Sequence, residues 1–221
     1  MKKSLSLIIC LLFVTVVLHA QNYTVAHGSD EHITNDIHYP KAVGVKGTQT
    51  AEFKLENIAT APGCAAYFDR TSTVFEVKAG DIITPSVTIN GAWMHSFIFV
   101  DWSQNGQFEV NLLGDGPYTE GDGNELVSYS HYNMASSTVN NGWNSAGEAV
   151  GGNVLTPCTF RVPAHLAVGS SYRMRYSVTW NCARPDGDYP NFISDGGSII
   201  DVTLKIVGVA ENVQKYPIDN Y

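Results

Sequence analysis

Two stretches of this chain alternate between apolar and polar residues, and that pattern leaves few folds open. In "SYRMRYSVTWN", Tyr172, Met174, Tyr176, Val178 and Trp180 alternate with Arg173, Arg175, Ser177, Thr179 and Asn181. In "SIIDVTLKIV", Ile200, Val202, Leu204 and Ile206 alternate with Asp201, Thr203 and Lys205. A period of two sends successive side chains to opposite faces, so each stretch predicts an antiparallel strand with one apolar and one wet face. On the wet face Asp201 is expected to pair with Arg173 or Arg175 as a modest surface interaction. "FIFV" at 97–100 is apolar on both faces and belongs in the middle of a sheet. No helical periodicity runs beyond a couple of turns, whereas strand signals recur between Gly, Pro, Asn and Asp clusters. Strands are predicted near 48–56, 66–70, 73–79, 82–90, 95–103, 107–113, 125–132, 155–163, 171–181 and 198–207, with long polar loops at 114–124, 133–153 and 183–197. The predicted fold is all-β, an antiparallel β-sandwich of jelly-roll or Ig-like type with about ten strands.

The first residues bound the compartment. Lys2 and Lys3 precede an apolar run from Leu5 to Leu18, followed by a small residue at Ala20. That order predicts a secretory signal peptide over 1–20, cleaved after Ala20, too short for a comfortable membrane span. Cys10 lacks the small neighbours of a lipid-attachment site, so the expected product is a soluble protein that is secreted, periplasmic or displayed at the cell surface. Cleavage takes the basic count from 13 to 11 against 21 acids, and the net charge from −8 to −10. Such a surface repels phosphate backbones and argues against nucleic acid as a partner. Cys64, Cys158 and Cys182 then remain, an odd number at spacings that match no zinc pattern, so at most one disulfide is expected and its pairing stays open. The remaining divisions are an N-terminal extension or first strand over 21–47, the sandwich over 48–208 and a tail over 209–221.

Several motifs together resemble the GEVED-domain family of secreted bacterial proteins. They are "FIFVDWSQNGQFE", then "TFRVPAHLAVGSSYRMRYSVTW", then a closing strand after "DGG", with "YFDRTSTVFEVKAGD" similar to the segment before that core. The likeness spans roughly Tyr67 to Val207. Family members often carry Asn and Asp where this chain has Ser103 and Asn105, and "GSIIDV" keeps Gly197 and Asp201 without the name-giving glutamates. The resemblance implies a β-sandwich module of exported or cell-surface proteins with a binding or structural role, and brings no active site with it.

"DWSQNGQ" from Asp101 to Gln107 reads in two ways. Calcium loops place oxygens at positions 1, 3 and 5, a Gly at 6 and a carbonyl at 7, which here are Asp101, Ser103, Asn105, Gly106 and Gln107. Position 12 is Leu112, so an EF-hand is excluded, and any calcium would be held weakly, with Kd of roughly 10⁻⁴–10⁻³ M. Alternatively Asn105-Gly106 forms the tip of a two-residue hairpin. That pairing sets Asp101 against Val110 and Phe99 against Leu112, and gathers Phe97, Phe99, Phe108, Val110 and Leu112 on one face. Asp101 then lies on the apolar side, where a carboxylate needs backbone N–H groups, an Arg or a cation.

Other polar segments offer ligand chemistry. Trp143 in "NNGWNSAGEAVGGN" has no apolar neighbours, so it could stack on a sugar face while Asn144 binds hydroxyls, with Tyr118 as a further contact; its alternative role is to cap the sandwich edge. Trp93 and Trp102 sit nearer strand patterns and read as core or rim. Asp115, Glu120, Asp122 and Glu125 could serve a carbohydrate hydrolase or simply form a solvated acidic loop, with calcium bound by that loop as a further alternative. His27, His32 and His38 fit neither one strand face nor a zinc pattern, and no nucleophile-elbow pattern occurs. The chain is therefore expected to be a non-catalytic binding module for a glycan or surface protein, steadied by calcium if a metal binds. The alternatives are the hydrolase and a purely structural or adhesive module.

Overall fold

In the computed structural model, residues 23, 25–27, 39–61, 66–91, 94–113, 119–120, 123–131, 142–150, 157–179, 192–193 and 197–211 are described. Among them every regular element is a strand. In chain order these are β1 (Ala26–His27), β2 (Tyr39–Gly47), β3 (Phe53–Leu55), β4 (Tyr67–Ala79), β5 (Ile82–Asn90) and β6 (His95–Val100). They continue with β7 (Leu112–Leu113), β8 (Thr119–Glu120), β9 (Leu126–His131), β10 (Gly142–Asn144) and β11 (Ala149–Val150). The last four are β12 (Phe160–Arg161), β13 (Ser171–Thr179), β14 (Phe192–Ile193) and β15 (Ser198–Val209). A seven-stranded sheet runs β11-β10-β9-β6-β13-β15-β4, and a four-stranded sheet runs β12-β5-β2-β3. The two face each other as an all-β sandwich. Most pairs are antiparallel, but the long β4 joins β15 in parallel.

Agreement with the predicted strands is closest where alternation is clean. The predicted strand at 82–90 is β5, and 171–181 and 198–207 are β13 and β15. The two strands expected at 66–70 and 73–79 are one strand, β4, and the expected break falls where its register against β15 shifts between Asp69 and Val74. Within the segment expected as an extension or first strand, Tyr39–Gly47 forms β2, inside the four-stranded sheet. The hairpin tipped by Asn105-Gly106 does not form: β6 pairs with β13 on one side and β9 on the other, so Phe99 faces Arg175 and Leu126 instead of Leu112. Phe97, Phe99, Phe108, Val110 and Leu112 nonetheless share one apolar cluster, because the chain after Val100 folds over the face of the sheet.

The inner core lies between the sheets. Val43, Val45 and Ile83 from the smaller sheet meet Phe75, Val77, Ile98, Val100, Met174, Tyr176 and the alternating Ile200, Val202, Leu204 and Ile206 of the larger one. Each buried aliphatic or aromatic side chain here contributes about 1.5–3 kcal/mol. Tyr176 crosses the layer, and its hydroxyl donates to the Gly44 carbonyl at 2.8 Å. Burial pushes that phenol well above its ordinary pKa, so it remains a donor. Gly44 has no room for a side chain, since a Cβ would stand 2.7 Å from the Phe53 carbonyl oxygen.

One carboxylate ties the ends of three strands together. Asp81, 2% exposed in the turn from β4 to β5, accepts from the Thr48 hydroxyl, the Gln49 N–H at 2.9 Å, the Thr50 hydroxyl at 2.7 Å and the Ile82 N–H at 2.8 Å. Burial alone raises its pKa, but the four donors outweigh it and hold the carboxyl below its usual range. The resulting stabilisation is complete above the unfolded value near about 3.9 and is lost as pH falls through the lower folded value. Asp81→Asn is expected to cost about 1–3 kcal/mol in urea denaturation at pH 7. The gap from the parent should shrink towards pH 2–3; a gap independent of pH would refute this origin.

Candidate functional site

The wet face predicted for β13 and β15 is dry where the two strands cross the centre of the sheet. Register aligns Phe99, Arg175, Asp201 and Asp69 in one row across β6, β13, β15 and β4. Arg175 and Asp201 are both fully buried, correcting the expected surface pair. Arg175 Nε donates to Asp201 Oδ1 and Nη2 to Oδ2, both at 2.7 Å, a bidentate pair. Arg173 Nη1 and the Tyr67 hydroxyl each add a bond to Oδ2 at 3.1 Å. Burial and the Asp201 charge push the Tyr67 phenol up to about 12. Above this row lie aromatic rings. The Arg175 guanidinium sits 4.7 Å from the Phe108 centroid and that of Arg173 4.2 Å from Tyr23, adding cation–π attraction. Tyr23 and Phe108 tilt against each other at 5.4 Å.

The lid is the segment after Val100, and two buried carboxylates pin it. Asp101, fully buried, accepts from the Ser103 hydroxyl at 3.1 Å, the Asn105 N–H at 3.3 Å, the Gly106 N–H at 3.0 Å and the Tyr23 hydroxyl. Gln104 at φ 57° and Gly106 at φ 87° curl the backbone so that these groups converge, the second at a position suited to glycine. Glu125 accepts from Ser103 N–H at 2.9 Å and Glu109 N–H at 3.0 Å. Burial, reinforced by the Asp101 charge and opposed by these two N–H groups, raises its pKa.

This geometry bears on the expected calcium ligands. Asp101, Ser103, Asn105 and Gln107 do share one loop, but both Asp101 oxygens receive donors. Asn105 Oδ1 accepts from Gln107 N–H at 2.8 Å, while its Nδ2 donates to Glu109 at 2.9 Å. A cation at Asp101 would have to displace N–H and O–H groups, so the arrangement fits a turn better than an ion. Among the described residues no group of three or more His, Cys, Asp or Glu side chains is placed to hold a metal.

The expected ligand contacts are dispersed. Trp143 lies on β10, paired with β9 and β11, and packs half-buried against the cluster of Phe97, Phe99, Phe108, Leu126 and Tyr129. Asn144 is buried and shapes the following turn: its Oδ1 accepts from Ala146 and Glu148 N–H, both at 3.0 Å, and its Nδ2 donates to Glu148 at 3.1 Å. Of the loop acids, Glu125 is turned into the protein, and the backbone of Glu120 lies in β8. Cys158 is a free thiol. Tyr118, Trp93, Asp115, Asp122, His32, His38, Cys64, Cys182 and the leader fall outside the described residues, as do the side chains of His27 and Glu120. Among the described residues no helix is long and apolar enough to cross a membrane.

A different place on the molecule has the shape of a binding site. A half-open cleft of about 290 Å³ lies where β9 of the larger sheet approaches β12, the edge strand of the smaller one. Leu126 and Phe160, both buried, belong to its lining. Trp102, Val127 and Pro163 give apolar walls, and Asn124, Ser145, Thr159 and Arg161 supply polar groups at the rim. Trp102 is held edge-on to Tyr172 at 5.3 Å and 67°. Ser145 Oγ accepts from Tyr129 N–H at 3.2 Å, which leaves its proton to donate. Sequence reading set Trp102 aside as core or rim, and gave no signal for Arg161 or Thr159, because the lining comes from four separated segments. No protein-family model and no curated protein matches the chain.

Two measurements check the buried chemistry. Asp201→Asn should cost about 3–5 kcal/mol in urea denaturation, since it leaves Arg175 buried and uncompensated. The double variant Arg175→Met/Asp201→Leu should cost less than Asp201→Asn alone; additive losses would refute the pair as the cause. Millimolar calcium should leave the melting temperature unchanged, and a rise that grows with calcium concentration would place an ion at the loop after all.

Proposed function

We propose that the protein is an exported, non-catalytic β-sandwich of the GEVED-domain type that binds a glycan in the cleft beside Trp102. The cleft carries this reading. A tryptophan ring beside apolar side chains, rimmed by an amide and hydroxyls, suits a sugar, whose C–H face stacks on aromatics while its hydroxyls take directed hydrogen bonds. Its volume of about 290 Å³ falls just short of the range for drug-sized ligand pockets, roughly 300–1,000 Å³, which suits a small ligand such as the end of a sugar chain. Export is supported by the basic start and apolar run ahead of Ala20, and the acidic charge balance suits a soluble protein outside the cell.

Binding rather than hydrolysis is favoured by Glu125. This acid, set in sequence between the lining residues Asn124 and Leu126, has both oxygens committed to backbone N–H groups of the lid, so it is not posed to protonate a glycosidic oxygen.

A glycan array with the full chain should retain at least one oligosaccharide class. Thr159→Ala, at an exposed rim position, is expected to weaken that binding about threefold with an unchanged melting temperature. Trp102→Leu should weaken it about tenfold or more, equivalent to about 1.4 kcal/mol. An array without retained sugar, or a Trp102→Leu variant of undiminished affinity, would remove the glycan reading.

A further inference from the structure

We infer that the cleft selects an anionic sugar and seats its carboxylate or sulfate group on Arg161, an inference that rests on the glycan-binding reading above. The charge distribution is the first ground. The chain carries 21 acids against 13 basic residues, yet among the described residues the cleft lining holds one arginine and no acid. A cation at the exposed rim of such a cleft, on an otherwise acidic molecule, favours a ligand with matching negative charge.

The fixed position of Arg161 is the second ground. Its backbone is in register with Ile82 through the β12–β5 pairing. Its Nη1 donates to the Gly80 carbonyl at 2.7 Å, in the turn that Asp81 pins. One guanidinium nitrogen is therefore anchored before any ligand arrives, which restricts the side chain and lessens the entropy lost on binding. With Nη1 turned to Gly80, the Nε and Nη2 edge is the one that meets an anion, and this fork matches a carboxylate or sulfate in a bidentate manner. Trp102 and Thr159 across the same cleft would hold the ring that carries the charge.

The test compares three probes by calorimetry on the full chain at low salt: an oligouronate, a sulfated oligosaccharide and a neutral oligosaccharide of the same length. At least one anionic probe is expected to bind about tenfold more tightly than the neutral one, and which of the two does so identifies the charged group. Raising the ionic strength to about 0.5 M should erode most of that preference while leaving neutral binding unchanged. Arg161→Gln should equalise the probes, and Arg161→Lys should keep part of the preference, because it retains the charge but not the fork. Melting temperatures show whether loss of the Gly80 bond has disturbed the fold, and the salt titration of the parent protein decides the matter if it has. Equal affinity for neutral and anionic probes would overturn the inference and leave glycan binding standing. Failure of all three to bind would remove both.

Discussion

The buried pair of Arg175 and Asp201 sets the conditions for the rest of the molecule. Removing two charges from water costs several kcal/mol per ion, and their attraction offsets this only when geometry is good and further hydrogen bonds satisfy them. Here the pair is bidentate, and Asp201 also accepts from Arg173 and Tyr67. A dry environment strengthens such a pair, and the sheet alone cannot provide one on its outer face. Phe108 and Tyr23 complete it, which makes the chain after Val100 part of the fold instead of a surface loop. Asp101 and Glu125 follow from that requirement. An irregular segment pressed onto a sheet has backbone N–H groups without ladder partners, and the two carboxylates receive those of Ser103, Asn105, Gly106 and Glu109.

Much of the inner core was legible, because a period of two reports which side chains share a face. It does not report what lies against that face. Arg173, Arg175 and Asp201 read as solvated since such residues are seldom fully buried unless paired, and their pairing depends on the β13–β15 register and a lid supplied from elsewhere in the chain. The sequence leaves β2 open between an extension and a first strand for a local reason: "YPKAVGVKG" contains a proline and two glycines, and its register slips between Pro40 and Ala42. The Asn-Gly signal at 105–106 was equally local. It marked a tight turn, but Asp101 accepts that turn's N–H groups, and β6 pairs with β13 and β9 instead of with the segment after the turn.

Residue choice was better predicted than residue role. Asp101 stood out because an acid followed an apolar strand, and it proved to be fully buried, compensated by backbone N–H groups, a hydroxyl and a phenol. Trp143 stood out because its sequence neighbours are polar, yet β9 and the cluster around Phe97 supply the apolar contact those neighbours lack. Trp102 drew less notice inside a strand-like run, and it alone of these lines the cleft. A cleft lined by residues 102, 124, 126, 127, 145, 159–161 and 163 has no sequence signature, since none of its segments is distinctive by itself.

The clamps and the cleft are physically joined. Trp102 lies between Asp101 and Ser103, so its position is fixed by the two carboxylates that hold the lid. Asn124 and Leu126 flank Glu125, and the Asn124 amide bonds both the Asn111 N–H and the Leu126 carbonyl. On the opposite side, Arg161 reaches the Gly80 carbonyl beside Asp81. Buried carboxylates therefore set both walls, one working from the outer face of the larger sheet and the other from the strand ends of the smaller. The lining draws on Leu126 and Val127 of one sheet and Phe160 and Arg161 of the other, so the cleft keeps its shape only while the sandwich is closed. Such a site is preorganised by the same interactions that stabilise the fold, and a ligand entering it would have little ordering left to impose.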